Sequence, residues 1–165
     1  MNQKKTVEAI ASRPRLCAFI KAMNYIPTAL IYIAFPVLIF LSSVSGIVLT
    51  LEICAICAVP FFAVSFLRAK INAPRPGEIY GFTPIVSCRS GHSFPSRHAL
   101  SAALIATVSY CVSHIMCIIL SCAALVLCVF RYLAGVHRVR DLIFGILFGI
   151  LFGAIGLVII NPLPI

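Results

Sequence analysis

The sequence predicts an all-α integral membrane protein, and two observations carry that prediction. Of the 165 residues, 62% are hydrophobic and only 10% charged, and the mean hydropathy is +1.11, far outside the range of soluble globular chains. The charges are also missing over long stretches: between Lys21 and Glu52, between Glu52 and Arg68, between Arg97 and Arg131, and after Asp141. About 20 apolar residues cross a bilayer as a helix, so these gaps are the expected spans.

Taken in order, residues 1–24 scatter Lys4, Lys5, Arg13, Arg15 and Lys21 among Val7, Ile10, Leu16, Phe19 and Ile20. With no uninterrupted apolar core ahead of a small-residue cleavage site, this is not a signal peptide. It predicts a basic amphipathic helix lying on the membrane surface. Transmembrane helices are expected near 25–44, 46–67, 96–113, 115–133 and 141–161, five in all. Pro27 and Pro36 fall inside the first, which neighbouring helices make tolerable. No repeat or second domain is visible, so residues 1–165 are expected to form a single membrane-embedded domain whose motif-bearing region is 68–141.

The eight cysteines suggest neither a disulfide framework nor a metal site. Cys54, Cys57, Cys111, Cys117, Cys122 and Cys128 fall within expected spans, where a thiol behaves as a small apolar side chain, and no His or Cys has zinc-finger spacing. Cys88, in the polar loop, is the one expected to be exposed.

Five spans place the N-terminal segment, the 68–97 loop and the 131–140 loop on one membrane face, and all thirteen Lys and Arg belong to those three segments. Such a face attracts acidic lipid headgroups. The opposite face holds only short turns, one of them with His114. Glu52, inside the second span, is expected to be structural or interfacial. Glu78 is read as a loop acid, with a role in specificity left open.

Chemistry concentrates in the two loops. The first runs Arg68 to Arg75-Pro76 and on to CRSGHSFPSRHA, where Ser90-Gly91-His92 is followed by Pro95-Ser96-Arg97-His98. The second phrase opens directly onto an apolar helix, so Ser96 is placed to cap it with its first N–H groups aimed at an anion; His98 is therefore preferred to His92. In the second loop Arg131 stands six residues before His137 and Asp141 four after it. If that stretch is helical, His137 and Asp141 share a face. The carboxylate then accepts the ring Nδ1 hydrogen and leaves Nε2 free to attack. A plain helix-end ion pair between them is the alternative.

These residues resemble the three motifs of the type 2 phosphatidic acid phosphatase superfamily, in particular its small bacterial membrane-embedded lipid phosphatases. Arg68 with Arg75-Pro76 is similar to Lys-x6-Arg-Pro, Pro95-Ser96-Arg97-His98 to Pro-Ser-Gly-His, and Arg131, His137 and Asp141 to Ser-Arg-x5-His-x3-Asp. Three departures stand out: Arg68 replaces a lysine, Arg97 the motif glycine and Phe130 the serine before Arg131. The resemblance implies that His137 attacks phosphorus to give a phosphohistidine. His98 then protonates the departing oxygen and activates water. Arg68, Arg75, Ser96, Arg97 and Arg131 are the implied phosphate-binding set.

The implied reaction is hydrolysis of a membrane lipid phosphate or diphosphate: phosphatidic acid, phosphatidylglycerophosphate or a polyprenyl species. No cofactor and no metal is expected, since Glu8, Glu52, Glu78 and Asp141 make no carboxylate cluster. The expected partners are the bilayer and its lipids, with no nucleic acid. Rival readings are a phosphotransferase or vanadate-binding oxidase on the same site, and a silent protein that binds anionic lipid. The expected location is the bacterial cytoplasmic membrane, multi-pass. Six-span relatives usually carry the site outside. The positive-inside bias over Lys4, Lys5, Arg13, Arg15, Lys21, Lys70, Arg89, Arg138 and Arg140 instead predicts a site facing the cytoplasm.

Overall fold

The computed structural model describes residues 3–160, and within them every regular element is helical. The order is α1 (Gln3–Ala11), α2 (Pro14–Ser45), α3 (Ile47–Ile71), α4 (Pro76–Tyr80), α5 (Arg97–Val108), a 3-10 turn (Ser109–Cys111), α6 (His114–Leu133) and α7 (Val139–Ile160). Four stretches are long and apolar enough to cross a membrane: Pro14–Ser45, Ile47–Tyr80 (α3 with the short α4 behind it), His114–Leu133 and Val139–Ile160. The expected span over 96–113 is instead the 12-residue α5 tightened into the 3-10 turn, too short to meet that length. Residue 161, the end of the last expected span, lies outside the described residues.

α5 is the centre of the bundle. Leu100, Ala102, Leu104 and Val108 are fully or almost fully buried, and the main core joins them to Ile31, Leu38, Ile53, Val64, Leu120 and Leu127 from α2, α3 and α6. α7 runs parallel to α5 along a seam of glycines. A Cβ added to Gly145 would lie 2.6 Å from the Ser96 carbonyl oxygen, one on Gly149 2.6 Å from that of Leu100, and one on Gly153 2.8 Å from Thr107 Cβ. Side chains there would force the helices apart. Both helices therefore begin at the same face and point toward the other, while α6 returns from it packed on α5 and α2.

The N-terminal segment departs from the expected surface helix over 1–24. α2 starts at Pro14 and runs without a break to Ser45, about 48 Å at 1.5 Å per residue; proline at a helix start sacrifices no needed N–H. Only residues 3–11 form a separate helix. α1 turns Val7 and Ile10 into a second core with Ile20, Ile85, Val86, Ala134 and Val136. Its apolar stripe is thus buried against the two polar loops, which competes successfully with the membrane surface for the same residues.

All eight cysteines are free. Cys88 is half-buried, and the exposed one is Cys122, on the outward face of α6. The expectation erred because the 85–88 stretch packs under α1.

Candidate active site

The two polar loops and the starts of α5 and α7 converge at one end of the bundle. Arg68, in the last turn of α3, is buried, and its guanidinium donates to the Pro95 and His92 carbonyls. Arg75 donates through Nε to the Gly91 carbonyl and through Nη1 to the Val136 carbonyl, each at 3.1 Å. Each arginine of the first motif thus clamps the loop that carries the second, and Arg75 also reaches the third. Glu78 accepts from the Arg75 N–H at 2.6 Å and from the Gly91 N–H at 3.1 Å. This fixes Glu78 as a loop brace.

The two serine–histidine phrases separate cleanly. His92 has a positive φ of 51°, its exposed ring lies with Nδ1 3.1 Å from the Arg68 carbonyl oxygen, and its own N–H donates to Asn72 Oδ1 at 3.3 Å. It locks the loop to the end of α3. In the second phrase Ser96 is fully buried at the N-cap of α5 and accepts from the Ala99 N–H at 3.4 Å, as its place before an apolar run requires. The Ser96 N–H donates to the Asp141 backbone carbonyl at 2.9 Å, joining the starts of α5 and α7. His98, in the first turn of α5, lines a small cavity with Tyr32, Phe61, Arg97 and Ser101. His114 is on the opposite face against Tyr110, ring centroids 4.3 Å apart.

Arg97, which replaces the motif glycine, is exposed, and its guanidinium sits 5.8 Å from the Phe61 ring centroid. The side chain leans along α3, a cation–π placement. Arg131, in the last turn of α6, is buried with its Nε lacking a hydrogen-bond partner. A buried guanidinium N–H without an acceptor is costly and is a donor available to an anion.

His137 differs from expectation in its backbone. α7 begins only at Val139, so His137 precedes the helix, and Asp141 sits inside its first turn. The two therefore do not share a helical face. The Asp141 carboxylate instead caps its own helix, with Oδ2 3.2 Å from the Arg138 N–H and 3.4 Å from its Nε, while Oδ1 lies 3.5 Å from Arg140 Nε. Between carboxylate and imidazole stands Ser93, whose hydroxyl donates to Asp141 Oδ2 at 2.7 Å and lies 3.5 Å from His137 Nδ1. His137 is 2% exposed. Burial, then the positive charges of Arg75, Arg68 and Arg131, hold its pKa well below the usual histidine range, so the ring is neutral at neutral pH.

Two residues of the site are not singled out by the sequence. One is Ser93. The other is Gln3, whose carboxamide donates to the carbonyls of Tyr132 and His137, both at 3.0 Å. α1 therefore sits on the site's face and ties down the backbone of His137. Among the described residues, no three His, Cys, Asp or Glu side chains are grouped as a metal would need.

Beyond His98 an apolar groove of 440 Å³ lies between α2 and α3, walled by Tyr32, Phe35, Phe61, Phe62 and Leu104 among others. It shares Tyr32, Phe61 and Ser101 with the cavity at His98. Tyr32 is 61% and Phe62 68% exposed, so the groove opens on the side of the bundle that faces lipid.

Similarity to known proteins agrees with this arrangement. The crystal structure of Aquifex aeolicus LpxE superposes with a TM-score of 0.72 at 28% identity, over 94% of each chain. That of a transmembrane PAP2-type phosphatidylglycerolphosphate phosphatase from Bacillus subtilis superposes with a TM-score of 0.69 at 23% identity, over 93% of this chain and 82% of the other. No curated protein matches. The PAP2 superfamily profile matches residues 49–163, from the first turn of α3 through all three motifs, and the chain belongs to the PAP2 superfamily, with the fold of its membrane phosphatases.

Proposed function

We propose that the chain is a metal-independent lipid phosphate phosphatase, one domain over residues 1–165, working through a phosphohistidine at His137. The observation that carries the reading is the neutral, buried His137 set among Arg75, Arg68, Arg131 and His98. A phosphate monoester brings two negative charges to that cluster. The unpartnered Nε of Arg131 and the α5 N-terminus behind Ser96 supply donors to its non-bridging oxygens. His137 Nε2 bonds to phosphorus as the P–O bond of the leaving alcohol breaks, and His98 gives that alkoxide a proton. The deprotonated His98 then takes a proton from water, whose oxygen displaces His137 and releases phosphate.

The groove between α2 and α3 supports a lipid as the carrier of that phosphate, because from the polar cavity at His98 it runs to the lipid-facing side between mostly apolar walls. Phosphatidic acid, phosphatidylglycerophosphate and polyprenyl phosphates or diphosphates form the substrate class. The purified protein is expected to release phosphate from at least one of them in EDTA; strong preference for a water-soluble phosphate ester would sink the lipid assignment. Transfer to an added alcohol instead of water would mark a phosphotransferase. Lipid binding with no turnover of any of them would mark a silent binder.

We further propose that the site faces the cytoplasm of a bacterial cell. Both α1, carrying Lys4 and Lys5, and the site loops lie at one end of the bundle, and the positive-inside bias acts on such segments. In intact cells an impermeant maleimide should label a cysteine placed at Ser43 and spare one placed at Ser87, in a background without native cysteines. The reverse pattern puts the site outside.

A further inference from the structure

We propose that Ser93 is a positioning residue that couples Asp141 to His137, so that the orienting pair is a serine-bridged triad rather than a direct carboxylate–imidazole contact. The inference rests on His137 being the nucleophile, as proposed above.

The argument is one of proton counting. Ser93 is fully buried, as is Asp141. A hydroxyl has one hydrogen, and at 2.7 Å from Asp141 Oδ2 it is committed to the carboxylate, which at neutral pH only accepts. The oxygen therefore presents a lone pair to His137 Nδ1, 3.5 Å away. That contact is favourable only if Nδ1 carries the ring's hydrogen, which leaves Nε2 as the unprotonated nitrogen. When Nε2 bonds to phosphorus the ring becomes positive. The Nδ1–H then points through the hydroxyl at a negative carboxylate, and no proton leaves Nδ1.

The placement of Ser93 is fixed independently of this chain of contacts. Its N–H donates to the Ala73 carbonyl at 2.9 Å, between the two arginines of the first motif. His92 beside it is latched to Arg68. The charged groups around the ring are Arg75, Arg68 and Arg131, with His98 beside them held neutral by burial and the same arginines, and those around the carboxylate are Arg138, Arg140 and Arg68. Arg75, Arg68 and Arg131 oppose a charge on His137. The bridge to Asp141 is the one path by which a negative group favours it.

The test uses the full-length protein in lipid nanodiscs, with Ser93→Ala and Ser93→Thr each made alone and in an Asp141→Asn background. Ser93→Ala should lower kcat on phosphatidic acid by roughly 10–100-fold, by analogy with partners that orient a metal-bound imidazole, with KM within about twofold. Ser93→Thr, which keeps the hydroxyl, should recover most of it. In the Asp141→Asn background Ser93→Ala should cost less than about twofold, because the two act as a unit. A second readout needs no substrate: in 15N spectra of labelled histidine, Ser93→Ala should move the His137 titration to lower pH, since losing the bridge removes support for the charged ring.

An unmoved His137 titration overturns the relay. So does an equal cost of Ser93→Ala with and without the Asp141 carboxylate, or equal losses in Ser93→Ala and Ser93→Thr accompanied by equal falls in melting temperature. A wild type that turns over no lipid phosphate overturns the proposed function instead, and the titration still reports on the bridge.

Discussion

Ser90-Gly91-His92 and Pro95-Ser96-Arg97-His98 are nearly the same phrase written twice within nine residues, yet the fold uses them oppositely. The first turns its polar groups toward its own backbone: His92 and Gly91 carbonyls receive Arg68 and Arg75, and their N–H groups go to Asn72 and Glu78. The second keeps its N–H groups at a helix start and sends His98 into the cavity at the groove. What differs is the neighbour downstream. A histidine followed by a helix inherits unpartnered amides and a fixed direction; one followed by more loop spends its polar groups on holding that loop.

Breaking the comparison at its active end should cost most. His137→Ala should abolish turnover and His98→Ala should lower kcat by about 10²–10⁴-fold, the usual loss when proton transfer is removed, both with unchanged melting temperature in detergent. The pH profile sharpens this. Because burial and the surrounding cations lower the His137 pKa, the ring sheds its proton already below pH 6.5. The acid limb of kcat/KM should therefore lie below the ordinary histidine value of about 6.5, and a limb at or above that value contradicts the placement of His137.

The next effect belongs to the structural phrase. Gly91 has φ +62°, and an added Cβ would meet Asn72 Oδ1 at 2.4 Å. Gly91→Ala should lower stability by about 1–3 kcal/mol, read as a fall in melting temperature, with a partial loss of activity as Arg68 and Arg75 lose their clamps. Smallest is His92→Ala, which removes an exposed ring and its one contact to the Arg68 carbonyl but leaves the backbone bonds of the loop; kcat within about threefold of wild type is expected, in line with surface substitutions. If His92→Ala is inactive while His98→Ala is not, the assignment of the two phrases is reversed.

Much of this was legible because membranes punish charge. The gaps between charged residues marked α2, α3, α6 and α7 to within a few residues at most ends, and motif spacing brought Arg68, Arg75, Ser96, Arg131, His137 and Asp141 to one end of the bundle. Three things were hidden, each for a physical reason. Gln3 lies 134 residues from His137 in sequence, and nothing local marks a glutamine that will be buried. The extension of α2 back to Pro14 was masked by Arg15 and Lys21, whose long stems let a helix continue while their charges reach water. Ser93 is hidden because Asp141 stands four residues after His137, a spacing that suggests a direct bond; with α7 starting at Val139, the link runs through a third side chain.

The glycine seam between α5 and α7 makes one rigid body of the helix starts next to His98 and His137, and its consequence concerns bilayer thickness. A thicker or thinner bilayer is accommodated by tilting or shifting the helices that face it, and among those α2 and α3 carry the groove between them. The seam, with carbonyls where side chains would be, has no room to slide. Moving the enzyme between short-chain and long-chain lipids should therefore change KM, through the width of the groove, and leave kcat nearly constant.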